Sequence, residues 1–81
     1  MNKTEELRHE LVKLADYASS FSVSHTEVAT LCNISYAYLG QIRRGENATS
    51  HHSNELLQCI IDMYRRKVNE KLKQLEKIRQ E

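Results

Sequence analysis

The stretch Ser24-His25-Thr26-Glu27-Val28-Ala29-Thr30-Leu31-Cys32-Asn33-Ile34-Ser35-Tyr36-Ala37-Tyr38-Leu39-Gly40-Gln41-Ile42-Arg43-Arg44-Gly45 holds two helix starts and two helix stops. Ser24 and Glu27 form a capping box, in which the Ser hydroxyl accepts from the backbone three residues on and the Glu side chain reaches back. Asn33 tolerates the left-handed conformation that ends a helix sharply. Ser35 then caps a further helix, which runs to Arg44 with Gly45 as its stop. Ala29 is small where the two helices cross, and Ile34 follows the turn as an apolar plug. The spacing predicts one inward face made of Val28, Ala29, Leu31, Cys32, Ile34, Leu39 and Ile42.

Upstream, Leu7, Leu11, Leu14, Ala15 and Ala18 have the spacing of one buried helix face over residues 3–19. Asn2 or Thr4 is the expected cap, and Glu5, Glu6 and Glu10 suit the positive end of the helix dipole. Residues 19–23 are a short connection from which Phe21 and Val23 can pack inward. Downstream, residues 46–53 lack apolar periodicity and are expected to form a loop. From about residue 54 there is no helix breaker, so a helix of roughly 28 residues and about 42 Å is predicted, too long for a small domain to cover. Its last turns must project.

Composition agrees with an all-α class. Two Gly, no Pro and no Trp among 81 residues leave too little turn chemistry for a many-stranded sandwich or barrel. The expected architecture is a small helix-turn-helix domain of about four helices over residues 1–66. Residues 67–81 extend the last helix as an oligomerisation or partner-binding segment. With four Tyr, one Phe and a mean hydropathy of −0.66, the core must be small and mostly aliphatic, near the size where a partner helps.

Several function classes drop out. Met1-Asn2-Lys3-Thr4-Glu5-Glu6 leads straight into an amphipathic pattern rather than a signal peptide, and no apolar run nears the roughly 18 residues of a membrane helix. Cys32 and Cys59 each sit in an apolar helical pattern and read as free core thiols in a cytoplasmic, reducing setting. No Ser-His-Asp set, carboxylate pair or glycine-rich phosphate loop can be assembled, so an enzyme is not expected. His51 and His52 have no carboxylate or thiol at ligand spacing and read as solvent-exposed, so no metal and no cofactor is implied.

Ser24, His25, Ala29, Asn33, Arg44 and Gly45 together give the 24–45 stretch a form that resembles the Cro/repressor type of helix-turn-helix DNA-binding domain of phage and bacterial regulators. The resemblance implies sequence-specific binding of double-stranded DNA, with the helix from Tyr36 to Arg44 in a major groove. The residues facing the bases would be Ser35, Tyr36, Ala37, Gly40, Gln41 and Arg44. Gln41 suits adenine, Arg44 suits guanine or a phosphate, and Ala37 suits a thymine methyl. Phosphates would be met by His25 and Thr26 in the first turn of the preceding helix, by the Tyr38 hydroxyl and by Arg43.

Charge sets a limit on that reading. The net charge is +1, and only Arg43 and Arg44 are cationic between residues 24 and 53. Phosphate neutralisation supplies most non-specific affinity, so a lone copy should bind duplex DNA weakly. Two copies would relieve this; the competing expectation is a protein-binding module, a phage-type inhibitor or adaptor, that reuses the scaffold without reading DNA. The run Arg65-Arg66-Lys67 could add phosphate contacts, but Glu70, Glu76 and Glu81 alternate with the lysines as on an ordinary solvated helix.

The last helix favours two copies. Leu57, Ile61, Tyr64, Val68, Leu72, Leu75 and Ile78 advance on average about 3.5 residues per step, the spacing of a two-helix seam. The first three helices can cover its early part, which predicts a homodimer through Tyr64, Val68, Leu72, Leu75 and Ile78.

Overall fold

A computed structural model describes residues 3–44 and 53–80, with side chains through residue 78. The expected stop at Gly45, the loop histidines His51 and His52, and a cap by Asn2 lie outside the described residues. Four helices follow one another: α1 (Lys3–Ser19), α2 (His25–Leu31), α3 (Tyr36–Arg44) and α4 (Asn54–Gln80). The chain is an all-α domain with a long C-terminal helix, as its pattern predicts.

Hydroxyl caps set three of the four starts. The backbone N–H of Glu27 donates to Ser24 Oγ at 3.2 Å, that of Tyr38 to Ser35 Oγ at 3.0 Å, and that of Leu56 to Ser53 Oγ at 3.0 Å. Thr4 does something other than cap. Its hydroxyl donates to Asn54 Oδ1 at 2.7 Å and so ties the start of α1 to the start of α4.

Two of the stops share one geometry. At the end of α2, the N–H of Asn33 donates to Thr30 O and that of Ile34 to Ala29 O, with Asn33 at φ 61°. At the end of α1, Ser22 N–H donates to Ser19 O and Val23 N–H to Ala18 O, with Ser22 at φ 59°. These are the paired bonds of the Schellman motif, each with its residue in the left-handed region.

α1 and α4 lie side by side and run in the same direction, with Thr4 beside Asn54 at one end and Glu10 paired with Arg65 further along. α2 packs on α3 and α4, and α3 packs on α1 and α2. The core between them is Leu7, Leu11, Ala15 and Ala18 of α1, Val23, Val28 and Ala29, Cys32, Leu39 and Ile42 of α3, and Leu57, Ile60, Ile61, Tyr64 and Val68 of α4. Fully burying one such aliphatic side chain contributes roughly 1.5–3 kcal/mol.

Leu31 departs from the expected face: it is 51% exposed. α2 ends at Leu31, and the bond from Ile34 N–H to Ala29 O draws the chain back across that end, so Ile34 packs against the core as expected while Leu31 faces outward. The expected boundary at residue 66 also moves. Val68 is core, so cover by the other helices continues one half-turn further than the sequence suggests.

Candidate nucleic-acid interface

The outer side of α3 is the surface that the sequence singles out. α3 makes its helix contacts with α1 and α2 and none with α4 among the described residues. Tyr36, Ala37 and Arg44 are exposed there, and Gln41 is half-buried beside them. Ser35 is exposed too, but its hydroxyl oxygen is engaged as the cap of α3. Tyr38 is half-buried against the core, which leaves its ring committed to packing.

Gly40 is a correction. It is buried rather than presented to a groove, because the side chain of Arg44 folds back across it. A Cβ built on Gly40 would meet Arg44 Nη1 at 3.2 Å. The missing side chain makes room for the guanidinium one turn on, not for a base.

His25 is a second correction. Both ring nitrogens are engaged within the protein, Nδ1 with the Tyr64 hydroxyl at 2.7 Å and Nε2 with Ser19 Oγ at 2.9 Å. The Ser19 hydroxyl donates its own proton to Ala15 O at 3.0 Å, so it accepts from Nε2–H. That leaves Nδ1 as the acceptor for the Tyr64 O–H, and the network assigns the neutral imidazole protonated at Nε2. Burial, then the nearby charge of Arg43, hold the imidazole below its ordinary pKa, with Asp16 pulling the other way. His25 is thus a neutral tie between α1, α2 and α4 with no ring nitrogen left for a phosphate.

Thr26 and Arg43 remain at this surface. Thr26 is exposed in the first turn of α2, and its carbonyl accepts from Thr30 Oγ1 at 3.0 Å. Arg43 is half-buried, and its Nε is buried without a hydrogen-bond partner among the described residues. Its charge is felt at both His25 and Tyr64, which places it near the α2 start.

The basic run on α4 is engaged in ion pairs. Arg65 pairs with Glu10 of α1, Lys67 with Glu27 of α2, and Arg66 with Glu70 at 4.0 Å. The Arg65 and Arg66 pairs are exposed and contribute little stability, but all three pairs lower the positive potential that a phosphate-contacting stripe would need. The solvated reading of this segment is the one that fits its geometry.

Along the expected seam, Tyr64 and Val68 belong to the core of the single chain at 0% and 4% exposure, which takes them out of the expected dimer interface. The reason is the docking of α4 along α1 and α2, which covers the stripe through Val68. Leu72, Leu75 and Ile78 are exposed at 38%, 51% and 69%.

Sequence reasoning missed three relationships: the His25–Tyr64 tie, the cross-helix ion pairs and the approach of Cys32 to Cys59. One signal was present, since a Tyr in an apolar stripe needs a partner for its hydroxyl once buried. Among the described residues there is no group of three metal-ligating side chains and no helix long and apolar enough to cross a membrane. No protein-family model matches the chain, and neither a curated protein nor a solved structure matches it.

Proposed function

We propose that the chain is a sequence-specific double-stranded DNA-binding protein, a transcriptional regulator of phage or bacterial type that acts as a homodimer in the cytoplasm. The observation that carries this reading is the position of α3. It is held from behind by α1 and α2 and presents Tyr36, Ala37 and Arg44, with Gln41 beside them, on a side that no other described helix covers. A helix held this way has the geometry needed to enter a major groove. The resemblance of residues 24–45 to Cro/repressor domains supports the same use. Gln41 and Arg44 are assigned to base edges, and Thr26 and Arg43 to phosphates; no cofactor is required.

The dimer belongs to this proposal. Leu72, Leu75 and Ile78 continue the buried stripe of α4 beyond the last core residue, Val68. A second copy laid along the same stripe would cover them and bring two α3 helices to one duplex, doubling the phosphate contacts. Protein binding is the second reading, and one observation favours it: Leu31 and Tyr36, on the same helix pair, are large apolar side chains more than half exposed.

The test is a titration of the full chain against random duplex DNA at low and moderate salt, with its mass measured in parallel. A dimer that binds at low salt and weakens steeply with salt supports the proposal. In Leu75→Glu, which alters an exposed side chain outside the core, mass and affinity should fall together. A dimer with no affinity for duplex at low salt gives the surface to a protein partner.

A further inference from the structure

Cys32, at the end of α2, and Cys59, in the second turn of α4, are free thiols whose sulfurs lie 3.4 Å apart although 27 residues separate them in sequence. A disulfide is about 2.05 Å long, so the sulfurs stand a little over one ångström from bonding distance. Cys32 is buried, whereas Cys59 is half-buried and lines a surface groove with Lys3, Leu7, Gln58, Asp62 and Met63. One thiol can therefore be reached from solvent, and the other waits behind it.

We propose that Cys32 and Cys59 form a reversible intramolecular disulfide, driven by a low-molecular-weight disulfide, that clamps the α2–α3 unit to α4. In the first step the Cys59 thiolate attacks one sulfur of the oxidant, whose S–S bond breaks. One thiolate leaves and takes up the proton that Cys59 lost. In the second step Cys32 loses its proton and attacks Cys59 Sγ; the mixed disulfide breaks and the second small thiol departs, protonated. Two protein thiols and one small disulfide become one protein disulfide and two small thiols, a balanced two-electron exchange. Burial, with the adjacent Cys59 sulfur adding to it, pushes the Cys32 thiol up to about 12. Cys32 is the resolving thiol because it is the buried member of the pair, and closure should quicken as pH rises above neutrality. The clamp is independent of the DNA reading, since it involves no residue on the outer side of α3.

The experiment treats the folded full chain with glutathione disulfide and follows it by intact-mass spectrometry, peptide mapping and thermal melting. The expected product is a monomer-sized chain lighter by two hydrogens, with Cys32 joined to Cys59 and a melting temperature higher by about 10 °C or more. Dithiothreitol should reverse both changes. The same exchange in denaturant should close the bond about 100-fold less favourably, because folding and the cross-link stabilise each other. A glutathione adduct that persists on Cys59, a cross-link between chains, unreacted thiols, or a folded-to-denatured ratio below about 10 would overturn the proposal.

Discussion

The imidazole Nδ1 of His25 accepts from the hydroxyl of Tyr64 at 2.7 Å, across 39 residues of sequence. Tyr64 is among the largest fully buried side chains, and its hydroxyl has this acceptor at the start of α2. Burial pushes the phenol up to about 12, so it stays a donor across the working pH range. Removing the hydroxyl with Tyr64→Phe leaves the half-buried Nδ1 without its donor and should cost about 1–3 kcal/mol. Denaturant melts of Tyr64→Phe, His25→Ala and the double variant check this: the two changes should couple, and simple additivity would show that the bond contributes nothing.

Stability should fall on acidification. Folded His25 holds its proton less tightly than an unfolded imidazole, so below about pH 6.5 the unfolded chain takes up the proton first. The loss begins as pH falls through the unfolded value and is complete below the lower folded value. A protonated Nδ1 would also turn a donor toward the Tyr64 hydroxyl, which must then rotate to accept and leaves its own proton without the acceptor it has at neutral pH. Chemical denaturation at pH 7.5 and pH 5 should show this decline, and it should be smaller in His25→Gln, which carries no titrating group. An equal decline in both would place the effect elsewhere.

Ser22 sits at φ 59°, in the left-handed region that closes α1. A non-glycine residue there is strained by roughly 1–2 kcal/mol, offset in part by the extra freedom glycine has when unfolded. Ser22→Gly should raise stability by about 0.5–1 kcal/mol, read as a higher denaturation midpoint at unchanged slope. A lower midpoint would mean that the Ser22 side chain makes a contribution larger than its strain.

Gly40→Ala should also stabilise. The substitution gains up to about 1 kcal/mol of helix propensity. The new methyl meets only the far end of Arg44 at 3.2 Å, a flexible group able to move by a few tenths of an ångström. A melting temperature that falls would show that displacing the Arg44 side chain costs more than the helix propensity gained.

The fold was legible wherever one residue type carries one local job. Ser24, Ser35 and Asn33 announced the α2–turn–α3 unit, because hydroxyl caps and left-handed asparagine act within a few residues. Ser22 does the same work as Asn33 but gave no sign, since serine seldom takes that conformation. Leu31 departs from its periodicity because the helix ends there, and the Schellman bonds turn the chain so that Ile34 packs inward and Leu31 does not. The site was less legible, for its errors are tertiary. The place of His25 in the first turn of α2 suggests a phosphate ligand, whereas Tyr64 on α4 and Ser19 on α1 hold both of its nitrogens. Gly40 reads as an approach point in sequence, whereas in the fold the Arg44 side chain lies across it.

Selection from a random duplex pool, followed by comparison of the full chain with Gln41→Ala, tests the assignment of α3 to a groove most directly. The full chain should enrich two half-sites about one helical turn apart. Gln41→Ala should lose about 1–3 kcal/mol of discrimination at one base pair of each half-site and keep the rest. A dimeric sample that enriches no sequence at low salt, or whose preference is untouched by Gln41→Ala, would contradict it.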